Sequence, residues 1–251
     1  VENLLFFAKG HIHSDHAKIL IAELLNCNPL ELLNHLNDEV SSEKVELLKK
    51  EIKALEENKP LQYVLGHINF YGNDFYIDER VLIPRFETEE LVENTIKYIN
   101  EFFTNPVDII DLGTGSGVIG LTLEKKVSTN SVDLIDISKD ALEVTNINCG
   151  KLNSKANIIE SDMFSAVNKK YDVIISNPPY VKETEPVGKE TKFEPQNALF
   201  AKKDGLYFYE EILKNISKLS TMPKLVVFEI GMSEGEDIKN LALKYLSTKK
   251  I

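Results

Sequence analysis

The sequence predicts an α/β fold, a mostly parallel sheet with helices on both faces, preceded by a small helical-bundle domain. From residue 107 onward, short apolar runs alternate with segments of helical periodicity, which is the pattern of a parallel sheet. Residues 14–60 instead carry apolar side chains at helical spacing. With 251 residues, 43% of them hydrophobic, the chain is long enough for one large domain or two small ones.

Residues 1–60 are predicted to form the helical domain. Its first helix begins near Ser14 or Asp15, either of which can act as the N-cap, and a second begins at Pro29. A third helix is predicted to end at Pro60 and to carry one apolar stripe made of Val45, Leu48, Ile52 and Leu55. The mixed charges on its opposite face indicate exposure to solvent.

Residues 61–87 are predicted to link the two domains and to contain a β-hairpin. Two short runs rich in aromatic and β-branched residues flank the turn-forming sequence 72–74, Gly-Asn-Asp. The next helix is expected to be capped near Thr88, where the second domain, residues 88–251, begins.

Five strands are predicted in this second domain, within the segments VDIIDLG, SVDLIDIS, ANIIESDMF, YDVIISNPPY and KLVVFEIG. Helical segments lie between them, so the sheet should be mostly parallel. Ligands bind beyond the carboxyl ends of the strands in such sheets. Each candidate motif described below follows one of these strands.

A glycine-rich turn, DLGTGSG, follows the first strand of the second domain at residues 111–117. Gly115, Gly117 and Gly120 also satisfy the pattern G-x-G-x-x-G. Such turns let a ligand approach the backbone closely, and nicotinamide, flavin and S-adenosylmethionine sites all use them. The candidate ligand-binding residues of this turn are Asp111, Gly113, Thr114, Gly115, Ser116 and Gly117.

Acidic residues also follow the next two strands. Asp136 lies at about the distance along the chain expected of an acid that binds ribose hydroxyls. Ser138 is the better cap for the following helix, which leaves Asp136 available to a ligand. In the segment SDMF, Asp162 could accept a hydrogen bond from an adenine amino group, and Met163 or Phe164 could cover the ring.

The segment Asn177-Pro178-Pro179-Tyr180 follows the strand YDVIIS. The prolines have fixed φ angles, and Pro178 restricts Asn177 to extended conformations, so the segment is rigid. A planar amide or exocyclic amine is a poor nucleophile because its lone pair is delocalised, so methylation requires acceptors that hold its NH2 group. The Asn177 side-chain oxygen and the Pro178 carbonyl are such acceptors, and Tyr180 offers a ring face for stacking.

The glycine-rich turn followed by NPPY resembles the S-adenosylmethionine-dependent methyltransferases that modify a planar nitrogen. Three groups share this pair: HemK-like protein glutamine methyltransferases of the PrmC family, DNA adenine methyltransferases, and some ribosomal RNA guanine methyltransferases. Residues 59–93, which include VLIPRFETE, and residues 193–212, FEPQNALFAKKDGLYFYEEI, are similar to the first group. The resemblance to the release factor enzymes therefore covers most of the chain.

This resemblance implies a Rossmann-like class I S-adenosylmethionine-dependent methyltransferase domain. It implies methyl transfer from S-adenosyl-L-methionine to the side-chain amide nitrogen of the glutamine in the Gly-Gly-Gln motif of peptide chain release factors. The helical domain is expected to help dock that protein substrate. Gly113 to Gly117 would lie along the methionine and ribose of the cofactor, with Asp136 on the ribose hydroxyls and Met163 by the adenine.

The resemblance also implies catalytic roles. Asn177 would bind both the cofactor and the substrate amide, while Pro178, Pro179 and Tyr180 would frame the glutamine. Two departures from the family pattern are Phe86, which replaces a proline and should make its loop less rigid, and Met163, which stands where an aromatic residue is common. The family's sheet usually ends in a further antiparallel hairpin, so either the chain continues beyond residue 251 or its sheet is shorter.

The remaining features decide between classes of function. A net charge of −11 gives no general attraction to nucleic acid, although an adenine or guanine methyltransferase remains the alternative. An oxidoreductase with a nicotinamide site comes next, and a non-catalytic binding module last. His11, His13 and His16 are interpreted as surface residues, and no metal site is predicted.

The expected location is the cytoplasm. The only cysteines, Cys27 and Cys149, lack the spacing of metal ligands and fit a reducing compartment. Neither a signal peptide nor a membrane span is predicted, because the apolar runs are too short. We expect a monomer whose partner is a release factor.

Overall fold

The computed structural model describes residues 1–167, 169–216 and 221–246, and the chain divides into two compact units. The helical unit comprises Val1–His67 together with Gly188–Phe193. The sheet unit comprises Ile68–Val187 and the residues from Glu194 onward. The predicted linker over residues 61–87 therefore falls partly in each unit.

The helical unit contains four α-helices and two 3₁₀-helices among the described residues. The α-helices are α1 (Glu2–His11), α2 (Ser14–Leu25), α3 (Ser42–Glu56) and α4 (Leu61–Leu65). The 3₁₀-helices are Pro29–His35 and Lys189–Phe193. The apolar faces of the four α-helices and of the first 3₁₀-helix meet in a core that includes Leu20, Ile21, Leu32, Leu48 and Ile52. Two members of the predicted stripe of α3, Val45 and Leu55, are only half-buried.

Three details of this unit differ from the sequence prediction. The N-cap of α2 is His13, whose Nδ1 accepts a hydrogen bond from the Asp15 backbone N–H at 3.4 Å, so neither Ser14 nor Asp15 is the cap. Pro29 begins a 3₁₀-helix and not an α-helix. Helix α1 was not predicted, because Ala8 is its only fully buried side chain and the apolar pattern is correspondingly weak.

The predicted hairpin is present, but its turn lies earlier in the chain. Strands β1 (His67–Phe70) and β2 (Asn73–Tyr76) are joined by Tyr71 and Gly72, whose φ angles are 50° and 77°. Two consecutive positive φ angles are typical of the type I′ turn that suits a two-residue hairpin. The predicted turn residues 73 and 74 therefore belong to the second strand.

The sheet unit follows the predicted alternation of strands and helices. The hairpin is followed by α5 (Phe86–Phe102), whose N-cap is Arg85, three residues before Thr88. The elements of the central layer are β3 (Val107–Leu112), α6 (Val118–Lys126), β4 (Thr129–Asp136), α7 (Lys139–Leu152), β5 (Asn157–Glu160) and β6 (Val173–Ser176). After these come β7 (Val181–Lys182), α8 (Gln196–Leu199), β8 (Phe200–Ala201), α9 (Tyr207–Ile216), β9 (Leu225–Phe228) and α10 (Gly235–Tyr245).

The central sheet has five parallel strands in the order β5-β4-β3-β6-β9. Alternate side chains of β3 point to opposite faces, as the two-residue period of a strand requires. Val107 and Ile109 join a core with α5 and α6, whereas Ile110 and Leu112 join a second core with α9. Helices thus cover both faces of the sheet, as predicted.

The strand register brings the predicted motifs to one edge. Leu112 of β3 is paired with Ile135 of β4, and Asp111 is paired with Ile175 of β6. The glycine-rich turn, Asp136 and Asn177 therefore all emerge at the carboxyl ends of adjacent strands. Within the described part of the chain, no helix has the length and hydropathy needed to cross a membrane.

Candidate active site

A cavity of about 420 Å³ opens at the carboxyl ends of the central strands. Its volume lies within the range of roughly 300–1,000 Å³ that is usual for small-molecule sites. Ten of the residues predicted to form the site line it: Gly113, Thr114, Gly115, Ser116, Asp136, Asp162, Met163, Asn177, Pro178 and Pro179. Three others, Asp111, Gly117 and Tyr180, lie outside the lining.

The loop after β3 follows a path that requires glycine. Gly113 and Gly115 have φ angles of 71° and 56°, in the left-handed region that other residues rarely adopt. A Cβ atom at either position would meet nothing within 4 Å, so the backbone angle and not crowding by protein atoms selects glycine. The N–H groups of Gly113 and Thr114 both donate to the Ile135 carbonyl at 2.8 Å, which fixes the loop on β4.

Asp111 supports this loop from beneath. Its side chain is fully buried, and Oδ2 accepts hydrogen bonds from Thr114 Oγ1 at 2.7 Å and from the Gly120 N–H at 3.0 Å. Burial raises the pKa of the Asp111 carboxyl to about 6. Gly117, with φ of 85°, is the N-cap of α6. Asp111 and Gly117 thus shape the loop, while the residues between these two line the cavity.

Asp136 ends β4 and holds the same loop from the side. Its Oδ2 accepts from the Gly115 N–H at 3.0 Å, and its Oδ1 accepts from the Ser138 N–H at 2.9 Å. Burial raises the pKa of the carboxyl. Since each carboxylate oxygen can accept two hydrogen bonds, both retain the capacity to bind hydroxyl groups of a ligand. Ser138 caps α7 as predicted, accepting from the Ala141 N–H at 3.2 Å.

The turn after β5 places Asp162 and Met163 at the cavity wall. Met163 has a φ of 48°, an uncommon conformation for a residue other than glycine. Ser161 stabilises the turn, because its hydroxyl lies 3.0 Å from the Met163 carbonyl and 2.9 Å from the Ala166 N–H. Sequence reasoning did not single out Ser161, which is buried and also lines the cavity.

The segment from Asn177 to Tyr180 leaves the sheet beside the glycine-rich loop. The hydroxyl of Ser176, the last residue of β6, donates to the Leu112 carbonyl at 2.6 Å and ties the two strand ends together. Asn177 is half-buried, and its Nδ2 donates to Thr88 Oγ1 at 3.4 Å. A Cβ on Gly205 would lie 2.4 Å from the Tyr180 carbonyl oxygen, so the segment packs closely against that glycine.

Sequence reasoning missed two carboxylates near the site. Glu194 is almost fully buried and accepts two hydrogen bonds from Arg85 Nη2, at 2.7 and 2.9 Å. This pair joins two segments that both line the cavity, residues 80–84 and 195–198. Glu229 follows β9 and is also buried. The sequence could have identified Glu229, because an acid that comes directly after an apolar run is the same pattern that identified Asp136.

The histidines of the helical unit were interpreted as surface residues and not as metal ligands. His11 Nδ1 lies 2.8 Å from Glu56 Oε1, and His13 Nδ1 lies 3.9 Å from Asp15 Oδ2. Over the residues that the structure describes, no group of three or more His, Cys, Asp or Glu side chains is arranged to hold a metal ion.

The chain matches two family models and several well-covered relatives. Residues 8–66 match the PrmC N-terminal domain, and residues 87–201 match the Methyltransferase small domain. The release factor glutamine methyltransferase of Bacillus anthracis is 35% identical over 233 residues, which cover 89% of this chain and 82% of that protein. The chain belongs to the release factor glutamine methyltransferase family. The Bacillus subtilis (strain 168) member is 36% identical over 222 residues, covering 85% of this chain and 77% of that protein.

A solved structure with the same fold is a methyltransferase from Pyrococcus furiosus. Its TM-score is 0.50 at 17% identity, with 81% of this chain and 87% of that chain covered. These findings confirm the predicted family and the fold class, a class I methyltransferase domain with a PrmC-type helical domain before it. The roles of the individual site residues stay predictions.

Proposed function

We propose that this protein transfers a methyl group from S-adenosyl-L-methionine to the side-chain amide nitrogen of the glutamine in the Gly-Gly-Gln motif of peptide chain release factors. The observation that carries the proposal is the meeting of two features at one cavity. The glycine-rich loop provides a ligand-binding backbone, and Asn177 with Pro178 provides two acceptors for an NH2 group.

The residues of the cavity fit S-adenosyl-L-methionine. The loop from Gly113 to Ser116 exposes backbone to the cavity, and Asp136 offers acceptors for the two ribose hydroxyls. Asp162 and Met163 line the wall where the adenine would lie, and Ile137, which is 62% exposed, extends that wall. When bound, the cofactor supplies an electrophilic methyl group on sulfur, which the amide nitrogen takes in a single displacement.

The contribution of this chain to the reaction is to position the amide. The Asn177 side-chain oxygen and the Pro178 carbonyl accept hydrogen bonds from the glutamine NH2 group, which turns the nitrogen lone pair toward the cavity. Because Pro178 and Pro179 fix the backbone, these acceptors stay in place during the reaction. Positioning of this kind supplies up to roughly 7–11 kcal/mol of rate acceleration. After methylation the nitrogen is cationic, and its extra proton leaves to water.

The first experiment is methyl transfer from labelled S-adenosyl-L-methionine to four substrates. These are a release factor with an intact Gly-Gly-Gln motif, the same factor with that glutamine changed to alanine, DNA, and unmodified ribosomal RNA. We expect label on the intact factor alone. Label on DNA or RNA would refute the proposed substrate and support the alternative of an adenine or guanine methyltransferase.

Two variants separate the roles of the site residues. Asn177→Ala should lower kcat about 100-fold or more with a modest change in cofactor Kd, because it removes a pre-positioned acceptor. Asp136→Ala should instead weaken cofactor binding about 10- to 100-fold by titration calorimetry, because it removes a charged acceptor of hydrogen bonds. Asp140→Ala, an exposed acid in the first turn of α7, is the control for charge. Near-normal turnover of Asn177→Ala would contradict the role assigned to it.

A release factor substrate places the protein with the translation machinery, and on that ground we propose that it acts in the cytoplasm. The two cysteines, Cys27 and Cys149, are free thiols in the structure, which supports a reducing environment. We propose that the enzyme acts as a monomer, which sedimentation of the purified protein would test.

A further inference from the structure

Glu229 lies beside Asn177 on a backbone that is fixed from two sides. Its N–H donates to the Ser176 carbonyl at 3.1 Å, which extends the pairing of β9 with β6 by one residue. Its own carbonyl accepts from the hydroxyl of Tyr209, a fully buried side chain of α9, at 2.8 Å. The position of the Glu229 side chain next to Asn177 is therefore set by the sheet and by α9.

The Glu229 carboxylate is surrounded by hydrogen-bond donors. Only 8% of the residue is exposed, and the Thr88 hydroxyl, the Asn177 amide and the Tyr180 hydroxyl all interact with the carboxylate. Oxygen Oε2 has no hydrogen-bond partner within the part of the chain that the structure describes, so the group has spare accepting capacity. An ionised carboxylate can only accept hydrogen bonds, so it fixes the direction of every bond made to it.

Thr88 connects this carboxylate to Asn177. Its hydroxyl can donate one hydrogen bond and accept others. With the hydroxyl proton directed to Glu229, Thr88 Oγ1 accepts from Asn177 Nδ2 at 3.4 Å. The NH2 end of the Asn177 amide then faces Thr88 and Glu229, and the oxygen end is left for the cavity that Asn177 lines.

We propose that ionised Glu229, acting through Thr88, is a positioning residue that keeps the Asn177 side-chain oxygen directed at the substrate amide. This inference rests on the proposed function. Protonated Glu229 can donate to Thr88, which reverses the direction of the bonds and lets the Thr88 hydroxyl donate to the Asn177 oxygen. That oxygen would then no longer be available to the glutamine NH2 group.

The charged and titratable groups around Glu229 act on its pKa in opposite directions, because the Tyr180 hydroxyl lowers it through a hydrogen bond and a neighbouring carboxylate raises it. Glu87 of α5 is a like charge, and Tyr180 and Tyr209 are phenols whose pKa values are raised. The positive charge of Arg85 lowers the pKa of Tyr180, but the Arg85 guanidinium forms its ion pair with Glu194 and not with Glu229. Burial raises the pKa of Glu229. The positioning should therefore fail as pH falls through this raised pKa.

Three variants test the inference by steady-state methylation of a release factor. In Glu229→Gln the amide can donate a hydrogen bond to Thr88, as protonated Glu229 does. Thr88→Val removes the hydroxyl that links Glu229 to Asn177 but keeps a side chain of similar shape. We expect each to lower kcat about 10-fold or more with cofactor Kd unchanged, and the double variant to be no worse than either single one. Glu234→Gln, which alters another buried acid of the same region, should keep wild-type kcat.

The pH profile distinguishes positioning from a general structural role. The wild-type kcat should fall on the acidic side through the pKa of Glu229, and Glu229→Gln should remove that limb. Wild-type kcat and an unchanged acidic limb in Glu229→Gln would overturn the inference. If Glu229→Gln fails to fold, Thr88→Val decides the question, and wild-type kcat in that variant overturns the inference equally.

A measurement without substrate separates this inference from the proposed function. The side-chain NH2 signals of Asn177, assigned by comparison with Asn177→Ala, should shift in NMR spectra as Glu229 titrates, and Glu229→Gln should abolish the shift. Signals that do not respond to pH overturn the positioning role. A wild-type protein that shows the shift but fails to methylate the release factor would refute the proposed substrate and leave the positioning of Asn177 intact.

Discussion

Gly120 offers a test of how the glycine-rich motif works. It is the last glycine of G-x-G-x-x-G and lies in the first turn of α6, against the central sheet. A Cβ atom on Gly120 would lie 2.2 Å from Leu134 Cδ2 and 3.1 Å from Asp111 Oδ2. Both neighbours are fully buried, so neither can move aside without disturbing β3 or β4. Gly120 is therefore expected to be required for packing and not for ligand approach.

The size of the effect follows from the distances. Carbon atoms pack best at about 3.5–4.0 Å, so Gly120→Ala must displace α6 or Leu134 by more than about 1 Å. Overpacking of this kind costs about 1–3 kcal/mol, and the better helix propensity of alanine offsets up to about 1 kcal/mol. We expect a net loss of about 1–2 kcal/mol in the free energy of unfolding.

The assay is urea unfolding followed by circular dichroism, because the protein contains no tryptophan for fluorescence. The matched control is Gly150→Ala in α7, where a Cβ would meet nothing within 4 Å and alanine should stabilise the helix. A Gly120→Ala midpoint equal to that of Gly150→Ala would refute the packing argument. Because Asp111 also holds Thr114, Gly120→Ala should weaken cofactor binding as well.

Two further predictions concern Asp111 and Phe86. The raised pKa of Asp111, about 6 against 3.8, means that its contribution to stability is complete below pH 3.8 and is lost as pH rises through 6. Asp111→Asn should remove up to about 3 kcal/mol of this pH dependence, and an unchanged profile in thermal unfolding would contradict the assignment. Phe86→Pro should stabilise the protein by about 0.4–1 kcal/mol, because Phe86 is the first residue of α5, is 74% exposed, and follows Arg85 in an extended conformation. A lower urea midpoint in Phe86→Pro would show that the backbone there cannot accept proline.

The sequence predicted the five central strands because each is a short apolar run bounded by helical or turn residues. It also predicted ten of the residues that line the cavity, since functional side chains in parallel sheets follow the strands directly. The elements that it missed lack such a pattern. Strands β7 and β8 have two residues each and α8 has four, too few to show any periodicity.

The pair Arg85 and Glu194 was beyond sequence reasoning for a different reason. The two residues are 109 positions apart, and neither has a local pattern that indicates a partner. Tyr180 illustrates a second limit. Its ring was predicted to offer a face for stacking, yet Tyr180 does not line the cavity, because the path after Pro179 is set by tight packing of the Tyr180 carbonyl against Gly205. Contacts distant in sequence decide both cases.

Four carboxylates assemble the site: Asp111, Glu194 and Glu229 are buried, and Asp136 is half-buried. Asp111, Asp136 and Glu194 each accept a hydrogen bond from the backbone of a neighbouring segment, whereas Glu229 interacts with side chains of α5 and of the loop after β6. Burial raises the pKa values of Asp111, Asp136 and Glu229, so in their ionised forms these three oppose folding. Packing of the apolar faces of the sheet must offset the destabilisation that these ionised carboxylates cause. Replacing one of them with a neutral side chain should stabilise the fold but disturb the loops that hold the ligand.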